Sequence, residues 1–451
     1  MLASTRGERA GGLAVALRDA LRARSGLWFG WSGEVAEATS PTPHLTHSGR
    51  VRYATLDLGE ADHEQFYNGF ANGTLWPLLH YRLGLLEFRR ENLEGYLRVN
   101  EVFAEALRPL LRPDDLIWVH DYHLIPLAAG LRRRGVGNKI GLFLHTPFPP
   151  PAVFTALPRY EILAKALTAY DLVGLQTEDD RVNLRNVIAL NRRCAVTPEG
   201  DLELGAQRLL LRAIPVGIDA GALTAMAETA SNGPEARRLI DSLAGRRLII
   251  GVDRLDYSKG LPQRFEAYER LLTEFPQHRS KVTFMQIAPV SRGEVRQYRE
   301  LRRDLERLAG RINGKFAEFD WVPVRYLNRA FGRNILAGFF RHARVGFVTP
   351  LRDGLNLVAK EYVAAQDAAD PGVLILSRFA GAARELDAAL LVNPFDVDAM
   401  AEAVHRALAM PLGERQERWR AMSRVVAANT AAAWQETFLH VLESVPMPAA
   451  A

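Results

Sequence analysis

Short apolar runs rich in β-branched residues alternate with longer stretches of helical periodicity along most of the chain. Most of these runs are apolar at consecutive positions, which is typical of strands that helices cover on both faces. Alternation of such strands with helices predicts parallel β–α units. The predicted strands are Leu116–His120, Ile140–His145, Leu172–Gln176, Leu209–Pro215, Leu248–Val252, Val282–Ile287, Val345–Thr349 and Val373–Ser377.

A polar stretch near the middle of the chain, ETASNGPEA at residues 228–236, separates two such series of strands. We therefore predict an α/β protein with two Rossmann-like, doubly wound domains, formed by residues 1–230 and 231–430. An amphipathic helix within residues 431–451 is predicted to pack back on the first domain. Ligands of such sheets bind beyond the carboxyl ends of the strands, so two sheets that face each other would form a cleft.

The composition is that of an ordinary globular protein, with 48% hydrophobic and 24% charged residues. The single cysteine, Cys194, cannot form an internal disulfide, which is typical of a cytoplasmic protein. We expect no signal peptide and no membrane span, because no apolar run of the necessary length occurs. The net charge of +5 is spread along the chain, so we expect no nucleic acid as a partner.

Three short motifs suggest other chemistries and are set aside. GRINGKF (310–316) resembles a P-loop, but it is one residue too short between its glycines, and Phe316 stands where Ser or Thr would bind magnesium. Asp396-Val-Asp398 resembles a metal-binding pair, but a helical segment follows it, so we interpret Asp396 as an N-cap. HDYH (120–123) matches no zinc spacing, so we expect it to contact substrate, with structural hydrogen bonding as the alternative.

The segment TPLRDGLNLVAKEYVAAQ (349–366) places polar groups where a strand gives way to a helix. Free N–H groups at a helix start bind phosphate, and Leu357 and Val358 would supply them. Glu361, one turn later, would instead accept hydrogen bonds from ribose hydroxyls, and Asp353 from those of a sugar ring. This pattern predicts a nucleotide-sugar site; the alternative is that Asp353 caps the helix and Glu361 is a first-turn anion.

Cationic side chains follow two other predicted strands of the second half. RLDYSKG (254–260) places Arg254 and Lys259 beside a glycine. Charge-assisted hydrogen bonds to phosphate contribute about 1.5–3 kcal/mol each, so these two cations could neutralise a diphosphate without a metal. Arg292 could bind a second anion, with a surface arginine as the alternative. In the first half, His145 begins the stiff, proline-rich loop HTPFPP, where a packed histidine is the alternative to a ligand contact.

These motifs occur together, and in the same order, in one known family. The chain resembles the α,α-trehalose-phosphate synthases, which are retaining glycosyltransferases of the GT-B fold. The resemblance extends over nearly the whole chain. The matching segments are AGGLAVAL (10–17), GLWFGWSG (26–33), FYNGFANGTLWPLLHYR (66–82), WVHDYHL (118–124), LHTPFPP (144–150), RLDYSKG (254–260), QIAPVSRG (286–293), AGRINGKF (309–316) and TPLRDGLNLVAKEYVAAQ (349–366).

The resemblance implies transfer of glucose from UDP-glucose to glucose 6-phosphate, which gives trehalose 6-phosphate and UDP without a metal or other cofactor. It implies donor contacts from Gly11, Gly12, Arg254, Lys259, Phe331, Asp353, Leu357, Val358 and Glu361. It implies acceptor contacts from Trp31, Tyr67, Trp76, Asp121 and Arg292. The residues closest to the chemistry would be Asp121, His145, Arg254, Lys259 and Asp353.

The implied mechanism has no enzymic nucleophile. The acceptor hydroxyl attacks on the face from which the diphosphate leaves, and a phosphate oxygen takes its proton. One feature departs from the family, which begins with a strand that ends in an S-N-R-like motif. Here only MLASTRGERA precedes Gly11, and neither Arg6 nor Arg9 stands in that motif. Either the true start lies further upstream, or the strand is lost. If it is lost, we expect the first sheet to lack an inner strand and the acceptor phosphate to depend more on Arg292.

Two other functions stay open from the sequence. One is a related GT-B transferase with another donor base or another acceptor phosphate. The other is a catalytically inactive, regulatory relative, which the expected loss of a strand would favour. Backbone atoms commonly contact the donor base, so the sequence does not choose between UDP, GDP and ADP, and it does not decide whether the protein is a homo-oligomer.

Overall fold

The structure is a computed structural model that describes residues 26–191, 194–205, 207–291 and 296–446. It divides into two compact units, one formed by Met1–Pro215 and Ala432–Ala451, the other by Val216–Ala431. The expectation that an N-terminal strand is missing concerns residues 1–25, which lie outside the described residues. Within the described part, no helix combines the length and the apolarity that crossing a membrane requires.

Strands and helices alternate through most of both units. The strands are β1 (Gly26–Ala36), β2 (His44–Ser48), β3 (Val51–Gly59), β4 (Ile117–His120), β5 (Ile140–Phe143), β6 (Leu172–Leu175), β7 (Ala195–Val196), β8 (Leu202–Leu204), β9 (Gln207–Ala213), β10 (Arg247–Val252), β11 (Val282–Ile287), β12 (Val324–Leu327), β13 (Ala343–Val348), β14 (Val373–Ser377) and β15 (Leu390–Val392).

The α-helices vary from single turns to more than five turns. They are α1 (Glu60–Asp62), α2 (Trp76–Leu79), α3 (Arg90–Leu107), α4 (Leu127–Arg133), α5 (Pro151–Phe154), α6 (Tyr160–Leu167), α7 (Glu178–Asn191), α8 (Ala220–Ser231), α9 (Pro234–Leu243), α10 (Leu261–Glu274), α11 (Arg296–Phe316), α12 (Arg333–His342), α13 (Leu357–Ala365), α14 (Val397–Ala409), α15 (Leu412–Ala428) and α16 (Ala431–Ser444). A π-helical stretch, His63–Leu75, joins α1 to α2, and 3₁₀ turns occur at Leu83–Leu85, Arg108–Leu110, Tyr122–Leu124, Tyr257–Lys259, Pro276–His278 and Gly381–Arg384.

The eight strands predicted from apolar runs are all present, and each differs from its prediction by at most one or two residues at an end. Strands β5 and β6 are buried at every residue, as expected of strands covered on both faces. The three-stranded sheet near the start of the described chain, with the order β1-β3-β2, was not predicted. Its edge strand β2 is exposed at all five residues, so no apolar run marks it.

The first unit also contains a six-stranded sheet in the order β4-β5-β6-β9-β8-β7. Strands β4, β5, β6 and β9 are parallel, and a short antiparallel meander of β7 and β8 extends the sheet from β9. Helix α16 packs on this sheet through aromatic rings. The ring of Phe438 stacks 4.6 Å from that of Trp118, and the ring of Trp434 lies 5.0 Å from that of Phe143.

The sheet of the second unit has the order β12-β11-β10-β13-β14-β15, and all its strands are parallel. The first three strands of the unit thus extend the sheet in one direction and the last three in the other. This is the doubly wound order of Rossmann-type sheets, in which the direction reverses between the first and fourth strands. Here the reversal lies between β10 and β13, and ligands of such sheets bind beyond the strand ends at that point.

The boundary between the units lies earlier than the predicted division between residues 230 and 231. Helix α8 belongs to the second unit: the hydroxyl of Thr224 donates to the carbonyl of Ala364 at 2.8 Å, and His342 Nε2 lies 3.0 Å from the carbonyl oxygen of Ser231. The polar stretch that suggested the boundary, residues 228–236, therefore separates α8 from α9 within one unit. Polar residues mark the exposed end of a helix as readily as a linker between domains.

The structure settles two of the motifs that were set aside. The P-loop-like segment 310–316 lies inside the continuous helix α11, so its glycines form no phosphate loop. Asp396 Oδ1 accepts a hydrogen bond from the N–H of Ala399 at 2.9 Å, which confirms that Asp396 is the N-cap of α14. Asp398 is exposed and lies 3.0 Å from Arg270 Nε.

Candidate active site

Two loops meet at the point where the second unit's sheet reverses direction, one after β10 and one after β13. The first loop ends at Gly260, whose φ of 66° favours glycine. A Cβ at this position would lie 2.3 Å from the carbonyl oxygen of Thr349, at the start of the second loop. The N–H of Leu351 in the second loop donates to the carbonyl of Ser258 in the first, at 2.8 Å. Because the two backbones touch, the side chains predicted from both loops lie together.

Lys259 and Asp353, one from each loop, form an ion pair. Lys259 Nζ lies 2.5 Å from Asp353 Oδ2, and the two side chains are only 12% and 13% exposed. The side-chain amide of Asn356 donates to the same carboxylate oxygen at 3.0 Å. The backbone of Asp353 is held too, since its N–H donates to Phe379 and its carbonyl accepts from Gly381. The carboxylate is therefore fixed as a hydrogen-bond acceptor beside a cation.

Arg254 lies near the start of the first loop with an exposed side chain. The turn between Arg254 and Lys259 is built on the buried carboxylate of Asp256. Asp256 Oδ1 accepts from both the N–H and the hydroxyl of Ser258 at 2.9 Å, and the hydroxyl of Tyr298 donates to its other oxygen at 3.2 Å. This role of Asp256 was not predicted, although Asp-x-Ser in a loop is a typical signal of a side-chain-stabilised turn.

Helix α13 begins at Leu357, as the sequence predicted. Asn356 is its N-cap: the residue has a φ of 80°, and its Oδ1 accepts from the N–H of Ala359 at 3.3 Å. The alternative in which Asp353 caps this helix is therefore wrong. The amides of Leu357 and Val358 belong to the first turn, where N–H groups have no acceptor inside the helix and the helix dipole is positive. An anion at this end of the helix would accept hydrogen bonds from the free N–H groups and be stabilised by the positive end of the dipole.

Glu361 lies one turn further along α13, facing the start of α12. Arg333 Nε, in the first residue of α12, is 3.5 Å from Glu361 Oε1. Burial raises the pKa of Glu361, and the nearby guanidinium of Arg333 opposes that rise. Phe331 stands two residues before Arg333, where its ring packs 5.7 Å from Phe339 and the Arg329 guanidinium lies 4.6 Å from its centre. The residues predicted to contact ribose and base thus belong to adjoining elements.

Lys360 does not share the position of its neighbour Glu361. Its side chain is fully buried, and Nζ donates to the carbonyl of Val216 at 2.8 Å and lies 2.7 Å from Glu385 Oε2. Burial lowers the pKa of Lys360, and the carboxylate of Glu385 opposes that effect. The lysine in the polar segment 349–366 therefore faces the interior of the second unit, where both of its partners lie.

In the first unit, aromatic contacts connect the residues predicted to bind the acceptor. Tyr67 lies in the π-helical stretch, an irregularity that often occurs at functional sites. Its ring is 5.4 Å from that of Trp31 and stacks 5.7 Å from that of His123. Since His123 follows Asp121 by two residues, these contacts bring Trp31 and Tyr67 to the carboxyl end of β4.

Asp121 follows β4 with a φ of 68° and a ψ of 170°, a conformation that is strained for any residue but glycine. Such strain amounts to about 1–3 kcal/mol and is concentrated at functional sites. The N–H of Asp121 donates to the carbonyl of Phe143 at the end of β5, at 2.8 Å. The ring of its neighbour Tyr122 lies 5.8 Å from that of Trp76, the first residue of α2. Trp76 therefore joins the same edge of the sheet.

His145, after β5, contacts His120, the last residue of β4. His120 Nδ1 and His145 Nε2 are 3.2 Å apart, and the rings are nearly parallel at 16°. Burial lowers the pKa of both residues, that of His145 to about 3, so both rings are neutral near pH 7. Two neutral imidazoles at this distance share one proton, which fixes one tautomer relative to the other.

Three predicted site residues, Gly11, Gly12 and Arg292, lie outside the described residues. For the remaining candidates, the structure brings Lys259, Asp353, Leu357, Val358, Arg254, Glu361 and Phe331 to adjoining loops and helix starts of the second unit. It brings Trp31, Tyr67, Trp76, Asp121 and His145 to one sheet edge of the first. Among the described residues, no group of three or more His, Cys, Asp and Glu side chains is arranged to hold a metal ion.

The sequence of this chain is similar to known proteins over nearly its whole length. The profile of glycosyltransferase family 20 matches residues 3–444. A trehalose-6-phosphate synthase of Cronobacter sakazakii is 50% identical over 436 residues, which are 97% of this chain and 92% of that protein.

Solved structures agree with the fold as well as the sequence. An α,α-trehalose-phosphate synthase (UDP-forming) from Burkholderia xenovorans, in complex with glucose-6-phosphate, superposes with a TM-score of 0.93 at 49% identity, covering 96% of this chain and 97% of that one. A structure from E. coli with bound UDP-2-fluoro glucose superposes with a TM-score of 0.94 at 47% identity, covering 99% and 98%. The expected GT-B fold class is thereby confirmed.

Proposed function

This chain belongs to glycosyltransferase family 20, and we propose that it transfers glucose from UDP-glucose to glucose 6-phosphate, which yields trehalose 6-phosphate and UDP. As a member of that family it is a glycosyltransferase. The relatives with bound glucose-6-phosphate and bound UDP-2-fluoro glucose support the choice of acceptor and donor. Within this chain, the observation that carries the proposal is the Lys259–Asp353 pair beside the start of α13, where the sheet reverses direction.

In the proposed donor site, Arg254 and Lys259 bind the diphosphate together with the amides of Leu357 and Val358. A helix start and two cations supply the positive charge that a departing diphosphate requires. Glu361 accepts hydrogen bonds from the ribose hydroxyls, and Phe331 lies against the base. Donor contacts from Gly11 and Gly12 are part of the same proposal, although both residues lie outside the described part of the chain. Asp353 binds hydroxyls of the transferred glucose. Its fixed position beside Lys259 suits an acceptor of hydrogen bonds.

In the proposed acceptor site, Trp31, Tyr67, Trp76 and Asp121 bind the sugar of glucose 6-phosphate, and Arg292 binds its phosphate. Aromatic rings beside a carboxylate are suited to a sugar, which offers apolar C–H faces and hydroxyl groups. His145 contacts the transferred glucose as a neutral hydrogen-bonding group, which agrees with its lowered pKa.

We propose that transfer retains the α configuration and requires no enzymic nucleophile or metal. The acceptor hydroxyl attacks C1 on the face from which UDP leaves, the bond between C1 and the phosphate oxygen breaks, and that phosphate oxygen takes the hydroxyl proton. The protein orients both substrates and stabilises the charge that develops on the diphosphate.

The test is UDP release measured with each substrate alone and with both. Release that requires both substrates, with a product that a trehalose-6-phosphate phosphatase converts to trehalose, supports the proposal. Parallel assays with ADP-glucose and GDP-glucose establish the donor base. Binding of either sugar phosphate without release would indicate an inactive relative, and release with a different acceptor phosphate would indicate the other alternative. A cytoplasmic location remains a prediction from the single cysteine.

A further inference from the structure

Arg264, on the inner side of α10, is a fully buried charge that the sequence analysis did not select. Its Nη1 donates to Asp253 Oδ2 at 2.7 Å, just after β10, and to Gln286 Oε1 on β11 at 2.8 Å. Its Nε donates to the hydroxyl of Thr349, after β13, at 3.1 Å, and its Nη2 to the carbonyl of Lys259 at 3.2 Å. One guanidinium thus joins three neighbouring strands and one loop.

The unit has a space shaped for this group. Gly251 on β10 leaves the necessary room, since a Cβ there would lie 2.7 Å from Nη1 of Arg264 and 2.3 Å from Oε1 of Gln286. The ring of Phe347 on β13 lies below the guanidinium, with its centre 5.8 Å from the Arg264 Cζ. The planar guanidinium supplies donors in fixed directions, which a lysine ammonium cannot reproduce.

Stability of the fold is a weak reason for this arrangement. The cost of removing a buried ion pair from water commonly matches or exceeds the attraction between its charges, so apolar replacements are often as stable. What the network does determine is geometry. The carbonyl of Lys259 and the hydroxyl of Thr349 belong to the two loops that carry Arg254, Lys259 and Asp353.

From these contacts we infer that Arg264 is a positioning residue for the donor diphosphate: it holds the loop after β10 and the loop after β13 at the spacing that places Lys259 beside Asp353. It acts through those loops and does not touch the substrate. The inference rests on the proposed function, because it assigns the diphosphate to these two loops.

The test is the affinity of the full chain for UDP and, separately, for glucose 6-phosphate, measured by calorimetry for wild type and variants. Arg264→Lys keeps the charge and loses the fork of donors, so we expect the Kd for UDP to rise about tenfold or more, as loss of hydrogen bonds to a charged group would produce. The Kd for glucose 6-phosphate should change by less than about twofold, since none of the four contacts holds an acceptor residue.

Two gentler variants test the same geometry. Thr349→Val removes one acceptor at nearly constant volume, and Gly251→Ala displaces the guanidinium without removing it. Both should weaken UDP binding in the same direction as Arg264→Lys. If Arg264→Lys does not fold, the Kd for UDP of these two variants tests the positioning role of Arg264.

Arg415→Lys is the matched control. Arg415 is also buried, at 8% exposure, and it binds the carbonyls of Pro371 and Met410, which belong to neither loop. This variant should lose thermal stability and keep the wild-type Kd for UDP. An unchanged Kd for UDP in a folded Arg264 or Thr349 variant overturns the inference, as does an equal loss of both affinities. Absence of UDP binding by the wild type overturns the proposed function, and the inference with it.

Discussion

Replacing Lys259 by alanine tests the charge that the donor site places beside the diphosphate. The change removes an ammonium group that lies 2.5 Å from Asp353 Oδ2 and is only 12% exposed. In the proposed complex that ammonium also contacts the leaving diphosphate. The variant therefore loses a phosphate contact and leaves the carboxylate of Asp353 facing the diphosphate with only the amide of Asn356 as a partner.

Both losses act on the transition state. A charge-assisted hydrogen bond contributes about 1.5–3 kcal/mol, and the uncompensated carboxylate adds repulsion as negative charge grows on the leaving group. The two losses together are of the size expected when one preorganised charge contact is removed, which raises the activation free energy by roughly 2.7–4 kcal/mol. We therefore expect kcat for Lys259→Ala to fall roughly 10²- to 10³-fold.

The measurement is UDP release at saturating concentrations of both substrates. Lys315→Ala is the matched control, because Lys315 also pairs with a carboxylate, Glu269, at 3.1 Å, but it is half exposed and lies on α11. That variant should keep wild-type kcat. A fall of less than about threefold for Lys259→Ala, in protein whose thermal unfolding matches wild type, would refute the assigned role of the ammonium.

Three further predictions concern stability, pH and metal. Phe438→Ala should lower the free energy of unfolding by about 3–5 kcal/mol in urea titrations, because the ring is fully buried, whereas the fully exposed Phe319→Ala should change it by less than about 0.5 kcal/mol. Burial lowers the pKa of His278 in the folded protein to about 4, so between pH 6.5 and 4 the unfolded chain binds more protons than the folded chain. In this range Tm should therefore fall more steeply with falling pH in wild type than in His278→Gln. Parallel curves of Tm against pH would contradict this. Excess EDTA should leave UDP release unchanged, since Arg254 and Lys259 supply the positive charge, and a loss that magnesium restores would contradict this.

Local patterns in the sequence predicted most of the fold, because the features that they describe are local. Buried parallel strands such as β11 and β14 consist mostly of apolar residues, and their predicted bounds match the structure to the residue. The N-cap at Asp396 follows from the residues on either side of it. The edge strand β2 is fully exposed, so it carries no apolar run and escaped the analysis.

The parts of the site that escaped prediction depend on partners distant in the sequence. Lys360 bonds to the carbonyl of Val216, 144 residues away, and no local pattern predicts that it faces inward. Arg264 bonds to Thr349, 85 residues away. One signal could have identified it: Arg264 stands on the apolar face of α10, with Leu261, Phe265 and Tyr268. A charged residue on an apolar helix face requires buried partners.

The position of α16 has a consequence for how the chain is made. This helix comes last in the sequence, yet Trp434 and Phe438 cover the sheet face that carries Trp118 and Phe143, which the ribosome completes hundreds of residues earlier. That face stays exposed until the second unit and α16 have been synthesised. In a recombinant fragment that ends at Pro215, this sheet face would stay exposed, so we expect the fragment to aggregate. Adding a peptide of residues 431–446 should reduce that aggregation.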